Sequence, residues 1–538
     1  MRNLYLLDCT LRDGGYVNDW NFGAGSIKSI FSRLDCAGVD AIEVGFLDDR
    51  REYDPNRAIY PDTKSVEPVF ENMQKPNALV CAMIDYGTCK IENIAPKNES
   101  HIDAIRVIFK KHLQDGALDF IKQIKDKGYK VYVNPVSVTT FSDEEMISLV
   151  NKINAIKPYA VTIVDTYGLM HSDKLLHYCD VLDANLDQDI ILGYHAHNNF
   201  QLAYSNTIAV MEHVKHRNLS IDGTLFGMGK SAGNACTELV AMYMNERFNK
   251  HYDINQIQEA IDVDITKEFA KKEWGYRPLF YISALNECHP NYVTQLLAKK
   301  TLSVKQVNEI LSKLPRENDK NLLYDKDLCE SLYRDYQNVA VDDTKNISKL
   351  KSIFNGKEIL LVGPGKSIIN EKSKIDSFID EKNPVVISVN FLRGELKIDY
   401  VFMGNAKRYS QFFSRIYAEN RTVKLICTSN ISESKERIDY SVNFASLTFK
   451  ENEAIYDNPL VLLLNLLIRL EVSKVTLAGF DGYDGEIAAN YYAEYAPLLY
   501  DTRNVLSRNE AIKDFLKSIS SKINVEFLTE TRYSNGKN

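Results

Sequence analysis

No two cysteines of this chain stand in a CxxC spacing. The nine that occur are odd in number, scattered from Cys9 to Cys427, and several lie in apolar runs such as LVCAM and KLICT. That usage argues against a disulfide framework, shows no zinc pattern, and fits thiols serving as small core residues in a reducing compartment. Positive charge is not in excess either: 65 Lys and Arg stand against 73 Asp and Glu, a net −8. A chain-wide nucleic-acid binder would be basic, so no nucleic-acid partner is expected, whereas anionic small molecules can still be served by local arginines. Long hydrophobic runs are missing too. The most apolar stretch, PLVLLLNLLIRL, carries Asn465 and Arg469 and falls well short of the roughly 20 residues a membrane span needs, so it reads as a buried helix. The N-terminus opens on a strand-like segment rather than an apolar leader, and a cytoplasmic protein is expected.

What is present is enough for several cores: 538 residues, of which 45% are hydrophobic. Residues 1–255 alternate short apolar, β-branched runs with amphipathic stretches. The runs are LYLLD, DAIEVGF, ALVCAMI, DAIRVIF, KVYVNPV, AVTIVD, IILGYHAH and LSIDGTL. Strand-then-helix alternation is the signature of a parallel sheet covered by helices, and this many units in about 250 residues match a (β/α)8 TIM barrel. An open doubly wound sheet is the alternative. Residues 256–345 carry helical periods without strand runs and read as a helical extension, ending in a charged linker around VAVDDTKNISKLKS. From 346 to 538 a separate α/β domain of Rossmann-like character is expected.

Three stretches carry chemistry. In DCTLRDGGYVND an apolar strand ends on Asp8, Arg12 and Asp13. In GYHAHNN, His195 and His197 are one residue apart, so on a strand both imidazoles project to one face. Two imidazoles and a carboxylate make a divalent-metal triad, and Asp13 is placed to complete it at the barrel mouth. In GMGKSAGNACTEL the glycines permit close approach of backbone to a ligand. Asn234 there can offer a carbonyl oxygen or merely cap the next helix. Glu43, Asp165 and Thr166 also fall at strand ends, as substrate-binding groups or as local caps.

LRDG, HxHN and GxGxxxGN, in this order over about residues 1–300, resemble the metal-dependent aldolase and acyl-lyase barrels. That family includes 4-hydroxy-2-oxovalerate aldolase, hydroxymethylglutaryl-CoA lyase and isopropylmalate synthase. The resemblance implies Mn²⁺ or Mg²⁺ held by Asp13, His195 and His197, with Asn234 as a weaker ligand, and Arg12 on the keto or enolate oxygen. It implies a 2-keto acid and an aldehyde as substrates, joined or cleaved through a pyruvate-type enolate. GGYVNDW looks most like members found with surface-polysaccharide genes. Where the oxovalerate aldolases place a histidine base shortly after LRDG, this chain has Tyr16, whose ordinary pKa of about 10 suits a base poorly unless it is lowered. Tyr16 could instead bind substrate, as could Tyr292; metal-bound water, or His289 or Tyr292 in ECHPNYV, could take the proton; and Asp8 is expected to hold Arg12. The rival readings are an acyl-CoA-dependent Claisen synthase or lyase on the same site, and a non-catalytic pathway scaffold. A homo-oligomer is the expected assembly.

In the last third, LLVGPGKSI sets a strand before a Gly-Pro-Gly turn, whose amides could hold phosphate. With NPVVISVN and VTLAGFDGYD it faintly resembles bacterial sialyltransferase-like domains. That resemblance implies a nucleotide or nucleotide-sugar site, with a possible transferase activity, at Gly363, Gly365, Ser367, Asn390 and Asp481.

Overall fold

The computed structural model describes residues 2–299, 301–317, 321–338, 340–391, 395–419, 422–431, 438–484 and 505–534. The chain divides into two compact units, Met1–Pro290 and Asn291–Asn538.

The eight apolar runs of the first unit are its eight barrel strands: β1 (Leu4–Asp8), β2 (Ala41–Leu47), β3 (Leu79–Asp85), β4 (Ala104–Phe109), β5 (Lys130–Pro135), β6 (Ala160–Asp165), β7 (Ile191–Ala196) and β8 (Leu219–Gly223). All neighbours pair in parallel, in the order β1-β8-β7-β6-β5-β4-β3-β2. Pairing of Leu7 with Ala41 closes the ring, so the open-sheet alternative falls. A two-residue strand, Ile59–Tyr60, hangs on the end of β2. Helices α1 (Ala24–Cys36), α2 (Gln114–Asp126), α3 (Asp143–Ile156), α4 (Ser172–Asn185), α5 (Ala203–His213) and α6 (Thr237–Phe248) follow the strands in the usual alternation. A capping box of Ser142 and Glu145 starts α3.

Period-2 alternation decides which side chains enter the barrel. Leu6, Ile42, Val80, Ile105, Val131 and Leu192 belong to the large core shared with the helices. The opposite parity gives a small separate cluster of Leu7, Ala41, Cys81, Ala104, Tyr132, Ala160 and Ile191. Two residues further along the same parity stand Glu43, Arg106, Asn134, Thr162 and Gly193, and then His195; Asp222 stands on β8. Every one of the polar side chains among them is at most 3% exposed. The barrel interior is therefore apolar at its base and charged in its upper layer, on the side where the strands end.

The second unit holds a seven-stranded, all-parallel sheet: β9 (Ile359–Val362), β10 (Val385–Val389), β11 (Tyr400–Met403), β12 (Lys424–Thr428), β13 (Tyr440–Val442), β14 (Lys474–Ala478) and β15 (Asn524–Phe527). The order is β13-β12-β11-β10-β9-β14-β15. Ile359 and Leu361 enter one core while Leu360 and Val362 enter another, so both faces are covered. The apolar run PLVLLLNLLIRL is α7 (Pro459–Arg469), capped by Asn458 and buried along most of its length. Among the described residues no helix is long and apolar enough to cross a membrane.

Two organisational expectations need correction. The stretch read as a linker is helical over Thr344–Phe354, and Leu350 and Phe354 enter the second core, because its apolar residues recur at helical spacing between the lysines. The helices read as one extension are divided between the units, which part at Pro290 and Asn291.

Candidate metal centre and a second-unit cavity

Three nitrogens and oxygens converge at the barrel mouth. Asp13 Oδ2 lies 3.5 Å from His195 Nε2 and 4.0 Å from His197 Nε2. Asp13, His195 and His197 are all buried, and their ligand atoms lie within 4.8 Å of one another. Asp13 sits in a tight turn, Thr10–Gly14, directly after β1. Its other oxygen accepts the Lys230 backbone N–H at 3.0 Å and the Asn234 side-chain amide at 3.0 Å. Gly229 is required by that approach, since a Cβ there would stand 2.7 Å from Asp13 Oδ1 and 2.3 Å from Asn234 Nδ2. Arg12, His197 and His195 together hold the Asp13 carboxyl well below its usual range, overcoming the upward push of burial.

Behind this face lies a buried ionic network. Arg12 Nε donates to Glu43 Oε2 at 2.7 Å and one terminal nitrogen donates to Asp13. Arg106 spans Glu43, at 3.4 Å, and Asp222. Asp222 Oδ2 is 3.0 Å from His195 Nδ1. A proton held there on Nδ1 leaves Nε2 as the lone pair facing Asp13, so Asp222 fixes both the orientation and the tautomer of this imidazole. Burial alone would lower His195, but its bonds to Asp13 and Asp222 carry it above its ordinary value. His197 has no carboxylate at its back, and burial drives it down to about 3.

The donor set fits a divalent cation. Both imidazoles present Nε2 to one point, and the Asn234 carbonyl oxygen and His197 Nδ1 are buried without a hydrogen-bond partner. A second set, Cys9, His195 and Asp222, is also compact. It is a poor ligand set: burial keeps the Cys9 thiol protonated, and the Asp222 oxygen and His195 Nδ1 already occupy each other.

The other expected residues divide clearly. Glu43 is fully buried and holds both Arg12 and Arg106. Asp165 accepts the Leu169 and Met170 amides, and Thr166 Oγ1 accepts the Ser137 amide; both brace loops beyond their strands. Asp8 does not hold Arg12. It accepts from Thr10 N and Thr237 Oγ1, which ties β1 to α6. Tyr16, 38% exposed, packs edge-on against Trp20. Burial and then Asp13 raise its hydroxyl rather than lower it, so it stays a proton donor. Tyr292 lies in the second unit, where its hydroxyl donates to the Leu323 carbonyl. His289, by contrast, belongs to the first unit, and burial together with Lys230 lowers it to about 4.

Three charged groups near the barrel mouth escaped the sequence reading. Arg106 in AIRVIF and Asp222 in LSIDGTL are charged residues inside apolar strand runs, and a buried charge demands a partner; that was the available signal. Lys230 in GMGKSAGN stands beside the metal triad and was passed over as part of a glycine loop.

In the second unit a cavity of about 260 Å³ is lined by Gly365, Asn390 and Asp481, along with Arg408, Arg508 and Tyr483. It opens where strand order turns, after β9, β10 and β14, the usual ligand crevice of parallel α/β sheets. The Gly-Pro-Gly turn is not a phosphate cradle. Gly363 N donates to Ala478 O and Gly365 N to Gly479 O, Ser367 N and Oγ both donate to Asp481, and Pro364 has no N–H. Gly363 and Gly365 are needed because a Cβ would meet Gly479 O at about 2.5 Å. Asn390 turns its side-chain oxygen to the Gly404 amide.

Residues 3–263 match the family model described as HMGL-like. The oxaloacetate decarboxylase of Mycobacterium tuberculosis is 25% identical over 267 residues, 49% of this chain and 77% of that protein. The 4-hydroxy-2-oxovalerate aldolase of Pelotomaculum thermopropionicum is 27% identical over 263 residues, 48% of this chain and 75% of the relative. Hydroxymethylglutaryl-CoA lyase from Pseudomonas aeruginosa superposes with a TM-score of 0.42 at 17% identity, over 55% of this chain and 98% of that one. Residues 3–263 thus match the HMGL-like family model and are similar to lyases and aldolases at 25–27% identity.

Proposed function

We propose that the barrel is a divalent-metal-dependent aldolase that forms or cleaves a carbon–carbon bond through the enolate of a pyruvate-type 2-keto acid. The observation that carries this is the convergence of Asp13, His195 and His197 beside Arg12 at the mouth of a barrel whose upper layer is charged. Asp13, His195 and His197, with Asn234 in reserve, would hold Mn²⁺ or Mg²⁺, which would supply Lewis-acid polarisation of the keto group. Arg12 offers Nη2, the terminal nitrogen that neither Glu43 nor Asp13 occupies, to the oxygen on which enolate charge develops. In the cleavage direction a base takes the proton of the aldol hydroxyl, the carbon–carbon bond breaks, and its electron pair becomes the enolate. His289, whose imidazole burial and Lys230 hold neutral, is the candidate for that base, and Tyr16 is a donor and binding group. The aldol is a precursor of a sugar acid for a surface polysaccharide. The test is exchange of pyruvate methyl protons with deuterium, followed by NMR, with and without added Mn²⁺. Metal-dependent exchange is expected; its absence, with no pyruvate released from any 2-keto-acid aldol, sinks the reading.

The second unit, on this reading, binds a nucleotide or nucleotide-sugar and can transfer from it. Its support is the switch-point cavity, where Arg408 and Arg508 are the anion-reading groups, Asn390 and Asp481 form the wall, and Tyr483 is an aromatic platform. Thermal melting of the full chain with CMP, UDP and GDP checks this. One of them should raise the second unit's transition by about 5 °C or more at roughly a hundredfold excess over Kd. No shift with any of the three removes the proposal.

A further inference from the structure

Lys230 is the half-buried cation of the barrel mouth that the ionic network leaves over. Its backbone N–H is fixed on Asp13 Oδ1 at 3.0 Å. Its ammonium stands 5.6 Å from the ring centres of both Tyr16 and Tyr167, between the loops that follow β1 and β6. Among the described residues its Nζ has no carboxylate within 4.0 Å and no hydrogen-bond acceptor, although burial makes its charge costly. The nearest carboxylates are committed elsewhere. Asp13 serves Arg12 and the two imidazoles, and Asp85 shares its field with Lys110 and Arg50 as well as Lys230. Two tyrosine faces steady the ammonium without neutralising it.

We propose that Lys230 binds an anionic group of the substrate distinct from the 2-keto-acid carboxylate, so that the aldehyde partner is itself a carboxylate or phosphate ester. This rests on the aldolase reading. Pyruvate has one carboxylate, and on this reading the keto and carboxylate oxygens of the 2-keto acid would be taken by the metal on the triad and by Arg12. A cation whose backbone is fixed on Asp13 and whose ammonium lies between Tyr16 and Tyr167 is left for whatever the new carbon–carbon bond attaches. The group is therefore a specificity determinant: it selects the acceptor and takes no part in proton transfer.

The test uses the full chain with Mn²⁺ and pyruvate, and two matched aldehyde pairs: D-glyceraldehyde 3-phosphate against D-glyceraldehyde, and glyoxylate against glycolaldehyde. The pairs separate a phosphate from a carboxylate as the recognised anion. The wild type is expected to favour the anionic member of at least one pair by about tenfold or more in kcat/KM, as a charge-assisted hydrogen bond provides. Lys230→Met should bring that ratio close to one, mainly through KM, while Lys230→Arg keeps most of it. If thermal melting shows Lys230→Met to be unfolded, Lys230→Gln reports the same ratio. No anionic preference in the wild type, or its persistence in the neutral variants, overturns the assignment while leaving pyruvate exchange intact. A wild type that exchanges no pyruvate protons and joins pyruvate to no aldehyde overturns the aldolase reading and this inference with it.

Discussion

Asp13→Asn should lose metal-dependent pyruvate exchange by roughly 10³-fold, the rate equivalent of about 4 kcal/mol of charge stabilisation. The substitution keeps the shape of the side chain, and the oxygen that accepts from Lys230 and Asn234 can still do so. What disappears is the negative charge at the point where His195 Nε2 and His197 Nε2 meet. Binding of Mn²⁺, followed by electron paramagnetic resonance or calorimetry, should fall with the activity. A variant that binds no Mn²⁺ yet turns over normally would contradict the metal role. A variant that binds it unchanged would move the ligand assignment away from Asp13.

The second large effect falls on Arg12. Arg12→Ala should lower kcat by about 10²–10³-fold, the usual cost of removing one fixed donor from a developing oxyanion, with a smaller change in KM. The same substitution leaves Glu43 buried with Arg106 as its remaining cation. Breaking a buried pair this way costs about 3–5 kcal/mol, so the melting temperature of the barrel should drop as well. Arg12→Lys separates the two effects. It restores a positive charge near Glu43 and recovers part of the stability, but one ammonium cannot reproduce a planar fork that serves Glu43, Asp13 and substrate together. Recovered activity in Arg12→Lys would mean that charge alone matters.

Much of the barrel could be read from the chain, because each strand is buried on both faces and so appears as an uninterrupted apolar run. The convergence of Asp13, His195 and His197 was legible for the same reason: β7 is apolar until His195, and a pair spaced by two must share a face. The buried network was not. Arg106 and Asp222 earn their place only through partners from other strands, and a single sequence does not show which strands sit opposite. The Gly-Pro-Gly turn misled because a strand, a turn and a helix look alike whether the amides face a ligand or, as here, Asp481 and the residues after β14. Tyr292 misled because nearness in sequence to His289 concealed a unit boundary. The segment at 344–354 misled because its many lysines mask a two-residue apolar stripe.

The double grip on Asp13 Oδ1 has a bearing on how the barrel is made. Its two donors come from more than two hundred residues further along the chain, where the last strand meets the first. A nascent polypeptide that has released β1 through β6 holds Asp13 but neither imidazole, and one that has released β7 still lacks the loop that clasps the carboxylate. Since domains fold as units and long-range contacts close last, cation affinity is gained in a single late event rather than strand by strand. If Asp13, His195 and His197 hold the proposed metal, Mn²⁺ binding would report ring closure, and a pulse of metal during refolding would time the moment at which the first and last strands zip together.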